Sequence, residues 1–436
     1  MIYFEKIIYF ILFFIPFSFA LNPQMDVDIA FLRVLISFIF IFFIFYVLYN
    51  NIPVSLNKFK NKQVLFFIAF FLFTLMSSFW AINPVWSIRK FLFFATLFPI
   101  YFLIIFFINS KEKLNKASKF FILGGFLASL IGIFQFLSQF IFKLDSIYNF
   151  WTYNVAMFIY GQNFGSVVVQ NQSWFVNIGG KDYFRAISLF PDPHTFALYL
   201  GILIPFTIGF FFYNNRKKKF FYILSILVML LALLFTFSRG AYFGLILSLI
   251  FIIGLYFFYF KIKLNKKFFL FTPVVVVMLL LSFSNSVFGE RFSSSFSLSD
   301  ISNTGRIQIW KTSIDIFLDN PIFGVGLGNL PIFFDPTTSV KSPINAHNTY
   351  LDILSELGLI GFLLFIGFFI YSFIFLSYKK DHFNFLRFGI IWSLVWFLIH
   401  SFFETSIFSL QVFTSLCFVL ALSLILKDKI NGQVIK

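Results

Sequence analysis

The chain has 436 residues, of which 60% are hydrophobic and only 11% charged, against about 25% charged in a soluble domain. It therefore reads as a polytopic membrane protein, and the formal charge of +16 reports orientation in the bilayer rather than a nucleic-acid partner. A single cysteine, Cys417, excludes a disulfide framework and cysteine metal clusters.

A transmembrane helix needs about 20 mostly apolar residues. Such runs fall at 7–21, 29–49, 64–80, 89–109, 119–142, 194–213, 220–237, 241–258, 268–288, 351–377, 385–402 and 407–426, which predicts an all-α fold of about twelve spans in one integral membrane domain, 1–436. The first run, with Lys6 before it and Ser18-Phe19-Ala20 after it, also has the outline of a signal peptide. A retained span is the reading adopted, and cleavage would leave eleven.

The connections alternate in charge. One set, from Lys6 through Lys58, Lys111, Arg216, Lys261 and Lys379 to Lys436, holds 22 of the 33 basic residues and four of the 17 acids. The positive-inside rule places that set and both termini in the cytoplasm. The two long connections, 143–193 and 289–350, then face outward. Loops of that length in a compact protein are usually functional or disordered, and these two are rich in Gly, Pro and aromatics, so they are expected to fold and to carry the chemistry.

In the second loop, "SNTGRIQIWKTSIDIFLDNP" has the pattern of an amphipathic helix lying along the membrane surface. Asn303 or Thr304 would cap it, Ile307, Trp310, Ile314 and Phe317 would share its apolar face, and Pro321 would end it. Gly324, Gly326 and Gly328 follow at a spacing that permits a tight turn or close approach of backbone to a ligand.

Three arginines border spans on the outward side, in a chain that keeps most of its positive charge inside: Arg185 in "YFRAISLFPDPH", Arg239 in "FTFSRGAYFG" and Arg306 in the loop helix. Taken singly, Arg239 reads as an interfacial anchor and Arg306 as a solvated helix residue. Together they suit phosphate, because a planar guanidinium donates paired, charge-assisted hydrogen bonds. His347 opens the tenth span between Asn345 and Asn348, followed by Asp352 and Glu356 one helical turn apart. An imidazole there can accept a proton at neutral pH. His194 reads as a structural cap, His382 as solvated, and His400 and Glu404 as support for the site. Asp26 and Asp28 in the first outward loop have the spacing of a weak divalent-metal pair.

Four segments, "SRG", "GRIQIW", "NPIFGVGLGNL" and "AHNTYLDILSELGLIGFLLFI", resemble the O-antigen ligase and O-antigen polymerase superfamily of membrane glycosyltransferases, over about residues 185–365. The resemblance implies membrane helices with an outward cavity beneath loop helices. It implies a catalytic His347, with Arg239, Arg306 and, more softly, Arg185 on the donor diphosphate, and with Asn348, Asp352 and Glu404 as possible support. The donor would be an undecaprenyl-diphosphate-linked glycan and the acceptor a glycan or lipid hydroxyl among the membrane lipids, with no metal or other cofactor. Three other readings stay open: a polymerase using the same donor, a metal-dependent glycosyltransferase at Asp26 and Asp28, and a twelve-span transporter or flippase of lipid-linked sugars.

Overall fold

The computed structural model describes residues 2–24, 27–52, 60–213, 219–255, 289, 301–335, 345–377, 385–405 and 407–428. The chain is mostly helical. In order it forms α1 (Ile2–Phe14), α2 (Phe31–Tyr49), α3 (Lys62–Met76), α4 (Pro84–Leu97), α5 (Pro99–Phe107), α6 (Lys111–Ser138), α7 (Leu144–Phe150) and α8 (Met157–Val169). There follow α9 (Pro193–Tyr213), α10 (Lys219–Phe235), α11 (Arg239–Leu255), α12 (Ile301–Asp319), α13 (Pro331–Phe334), α14 (Thr349–Ser377), α15 (Phe385–His400) and α16 (Leu410–Asp428). Among the described residues, six segments are long and apolar enough to cross a membrane: α2, α3 with its extension to Phe79, α4 with α5, α6, α9 and α14. Helices α10, α11, α15 and α16 are apolar but shorter. Against the expected twelve, six segments among the described residues meet this criterion by length and composition, and the expected span 268–288 lies outside the described residues.

Polar caps begin these helices where the sequence turns from loop to apolar run. Asn61 accepts from the Gln63 N–H, Asn83 from Trp86 ahead of Pro84, and Ser110 from Lys113. Asp192 caps α9, accepting the N–H groups of His194 and Thr195, each at 2.8 Å.

Two antiparallel hairpins amend the all-α expectation: β1 (Ala20–Gln24) with β2 (Val27–Ala30), and β3 (Phe175–Ile178) with β4 (Lys181–Phe184). The second turns through Gly179 and Gly180, both with positive φ, a two-residue turn that glycine adopts without steric cost. The stretch 143–193 is therefore folded, with α7, a π-turn at 151–156, α8 and this hairpin. The carboxylate of Asp28 accepts the Phe164 N–H at 2.7 Å just beyond the kink of α8 at Gly161. Its partner in the expected metal pair, Asp26, lies outside the described residues.

Helix α14 is broken at Gly358 (φ 62°, ψ −166°). The groups freed by the break are satisfied by the turn segment 321–326: Val325 and Gly326 donate to the Ser355 and Glu356 carbonyls at 3.0 and 2.9 Å, and Leu359 donates to Pro321 at 2.8 Å. At Gly324, which has positive φ, a Cβ would collide with the Glu356 backbone. The glycine-rich stretch thus serves close approach of backbone to backbone. Beneath it, the Lys90 ammonium meets both oxygens of Glu356, at 3.1 and 2.8 Å.

Candidate active site

The packing of α9 against α15 aligns the site. Their backbones touch where Gly209 meets Gly389, and at either glycine a Cβ would stand under 3 Å from the other chain. Small residues permit this contact between apolar helices. Nearer the start of α9, Gly201 lies against Trp396. Continuing this antiparallel register brings the beginning of α9 to the end of α15, so His194 lies beside Glu404.

Helix α14 joins the same end. Asn348 caps it by accepting from Tyr350 and Leu351, at 3.0 and 3.2 Å. Thr349 ties it to the end of α15, its N–H donating to the Ser401 carbonyl at 2.8 Å and its hydroxyl to the Glu404 carbonyl at 2.9 Å. His347, one residue before the cap, has a left-handed backbone (φ 48°). Three bonds hold that turn: His347 N–H to Asn345 Oδ1 at 2.9 Å, Ala346 N–H to Asp352 Oδ1 at 2.8 Å, and Trp310 Nε1–H to the Ala346 carbonyl at 2.8 Å.

Glu404 is the hub. Its Oε1 lies 3.0 Å from His347 Nδ1 and accepts the Thr405 N–H at 3.0 Å. Among the described residues its Oε2 has no hydrogen-bond partner, and the Arg306 guanidinium and His194 Nδ1 each stand 3.8 Å from it. Arg306 also donates to the Phe403 carbonyl at 3.3 Å. The carboxylate is 7% exposed, whereas the His347 side chain is 36% exposed, so the acid is the buried member of the pair and the imidazole the accessible one.

Burial alone would raise the Glu404 carboxyl, but His347, then His194 and Arg306, hold it well below the usual carboxylate range. Burial would lower the His347 imidazole, but the charge and hydrogen bond of Glu404 lift it above its ordinary 6.5. The two shifts describe one ion pair. Because Nδ1 is turned to the carboxylate, Nε2 is the nitrogen left to exchange a proton with a substrate. Asp192, at the cap of α9, is raised by burial and then by the charge of Glu404, against the hydrogen bonds from Thr195 and His194.

Residues 224–366 match the sequence profile of the family described as O-antigen ligase. This match makes residues 224–366 an O-antigen ligase-like segment. No curated protein matches the chain. The segment runs from α10 to the middle of α14 and contains Arg239, Arg306 and His347, while Arg185, His194 and Glu404 lie outside it. The match supports a ligase- or polymerase-like role in envelope glycan assembly by a membrane protein.

The fold brings His347, Arg306 and Glu404 into one cluster. Asn348 and Asp352 shape the turn that presents His347 and are 8% and 1% exposed. Arg239 is half-buried at the start of α11, directly after Ser238, whose hydroxyl lies 3.1 Å from His194 Nδ1. Arg185 is buried behind the cluster, its guanidinium donating to the Thr236 and Ser173 carbonyls at 2.7 and 2.9 Å. His194, expected to act as a cap, meets the hub instead, while Asp192 does the capping. The Asp-Pro-His run was the signal: an acid before proline is itself a complete cap.

Helix α12 departs from its expected face. It begins at Ile301, so Asn303 and Thr304 fall inside it. Ser313 and Ile316 are its buried residues, with Arg306, Ile309, Trp310 and Phe317 half-buried, while Ile307 and Ile314 are 40% and 43% exposed. Two apolar stripes overlap on this helix, and the one that includes Arg306 faces the protein.

Proposed function

We propose that the chain is an envelope-polysaccharide glycosyltransferase that moves a glycan from undecaprenyl diphosphate to an acceptor hydroxyl on the outer face of the cytoplasmic membrane, in the manner of an O-antigen ligase. The observation that carries this reading is the His347–Glu404 pair at 3.0 Å, with the Arg306 guanidinium on the other carboxylate oxygen. A base, the acid that orients it and a phosphate-binding cation thus converge from three separate segments.

In this reading His347 Nε2 takes the proton of the acceptor hydroxyl as its oxygen bonds to the anomeric carbon. The bond from that carbon to the phosphate oxygen breaks, and the electron pair leaves with the diphosphate. Attack opposite the leaving group inverts the anomeric centre. Arg306 and Arg239 meet the charge that grows on the diphosphate. Arg185, held by backbone carbonyls, adds a fixed positive charge behind them. Glu404 keeps Nδ1 of His347 protonated and balances the imidazolium after proton transfer. Every group this scheme assigns is a side chain of the chain itself, so the reaction is written without a metal.

Reconstitution with an undecaprenyl-diphosphate glycan and candidate acceptors, followed by product sizing, tests the reading. A single transfer to a distinct acceptor is the expected result, and a ladder of repeats would make the protein a polymerase with the same donor. Movement of lipid-linked glycan with no new glycosidic bond would reject the enzyme altogether and favour a transporter.

A further inference from the structure

His194 has a ring that its helix does not need. Asp192 supplies the cap of α9 through two backbone N–H groups and the Thr195 hydroxyl. The imidazole of His194 is turned instead toward Ser238, with Nδ1 3.1 Å from Oγ, and stands 3.8 Å from Glu404 Oε2. Ser238 precedes Arg239, and its carbonyl accepts the Ala241 and Tyr242 N–H groups that open α11, at 3.1 and 3.2 Å. The side chain of His194 is 18% exposed, so with Nδ1 occupied by Ser238 its Nε2 is the nitrogen left for a ligand. Arg185 and Arg306 are both close enough for their charges to act on this ring. Two carboxylates border this flank: Glu404, whose close partner is His347, and Asp192, whose oxygens are taken up by the cap of α9. Two guanidiniums and a ring donor thus stand beside carboxylates that have partners of their own, a setting that suits a phosphate group.

We propose, on the basis of the glycosyltransferase reading above, that His194 is a second substrate-contacting imidazole, donating an Nε2–H hydrogen bond to a phosphate oxygen of the lipid diphosphate. The Ser238 hydroxyl donates to Nδ1 and so fixes the tautomer that carries the proton on Nε2. His347 then works at the acceptor and His194 at the leaving group, with Glu404 between them.

The test is binding of glycan-free undecaprenyl diphosphate to the purified full-length protein in detergent, alongside transfer kinetics. His194→Ala should weaken binding about tenfold or more, the loss of one charge-assisted hydrogen bond. His194→Gln, whose amide reaches as far as Nε2, should recover most of the affinity. His194→Asn, which reaches only to Nδ1 and keeps a contact with Ser238, should not. Recovery by Asn but not Gln would mean that the ring only braces the Ser238 turn, and would overturn the proposal. Wild-type affinity in His194→Ala would overturn it as well, and if that variant fails to fold, the Gln and Asn pair decides. His347→Asn should bind the diphosphate normally while losing transfer. Should the wild-type protein itself bind no polyprenyl diphosphate, the donor assignment fails and takes this inference with it. If the wild type binds and His194→Ala binds equally well, only this inference falls.

Discussion

Helix α14 is preceded by one left-handed residue and interrupted by another. Gly358 (φ 62°) breaks the helix, and His347 (φ 48°) leads into it. The first is a glycine, which reaches that conformation without a Cβ clash, and its surroundings are backbone: residues 321–326 pair with 355–360 and leave no room for a side chain. The second has a full imidazole, for which a left-handed backbone costs about 1–2 kcal/mol. Side chains hold it there, through Asn345, Asp352 and Trp310. One bend is architecture and could take no other residue. The other is strained, and the strain positions the side chain proposed to do the chemistry, as strained backbone at functional sites commonly does.

Substitutions can break or sharpen that contrast. Gly358→Val should have the largest effect, because both the Cβ contacts and the φ forbid it; no monodisperse protein is expected on size-exclusion chromatography, and a normal elution profile would show that the break is not held by close backbone contact. His347→Asn comes next. Asparagine tolerates the left-handed region, so the variant should elute normally while transfer falls by about 10²–10⁴-fold; near-normal transfer would remove the base assignment.

Glu404→Gln should act through the imidazole. Glu404 raises His347 above 6.5, and the base works only when deprotonated, so wild-type transfer should climb as pH rises through that raised value. Removing the carboxylate charge should move the midpoint to lower pH and reduce the plateau rate about tenfold. A midpoint that stays in place would mean that another group titrates. The smallest effect is expected from Trp310→Phe, which removes one hydrogen bond to the Ala346 carbonyl, worth about 1 kcal/mol. A modest fall in thermal midpoint and a loss of transfer within about fivefold are expected. A loss as large as that of His347→Asn would mean that the turn, more than the imidazole, governs the rate.

Much of this was legible in local pattern. Apolar runs located the helices, and the Asn-Ala-His-Asn block located the imidazole. The β3–β4 hairpin was legible too, since Gly179-Gly180 between alternating residues is a turn signal, within a stretch expected only to be a folded outward loop. The buried face of α12 was not legible. Its sequence offers two apolar stripes, and the choice between them depends on whether Arg306 turns toward Glu404, a residue 98 positions later in the chain.

By itself the sequence determined that this is a helical membrane protein, that residues 224–366 match the O-antigen ligase profile, and which ionisable side chains border its apolar runs. These are properties of composition and short-range spacing, because hydrophobic burial follows the period of the helix. Only the tertiary structure decided that Glu404 is the hub, that His194 meets it from another helix, and that the glycine-rich stretch repairs a broken helix. The reason is range. His347 and Glu404 are 57 positions apart, and ion pairs and close backbone contacts form between surfaces that only the packing of whole helices brings together.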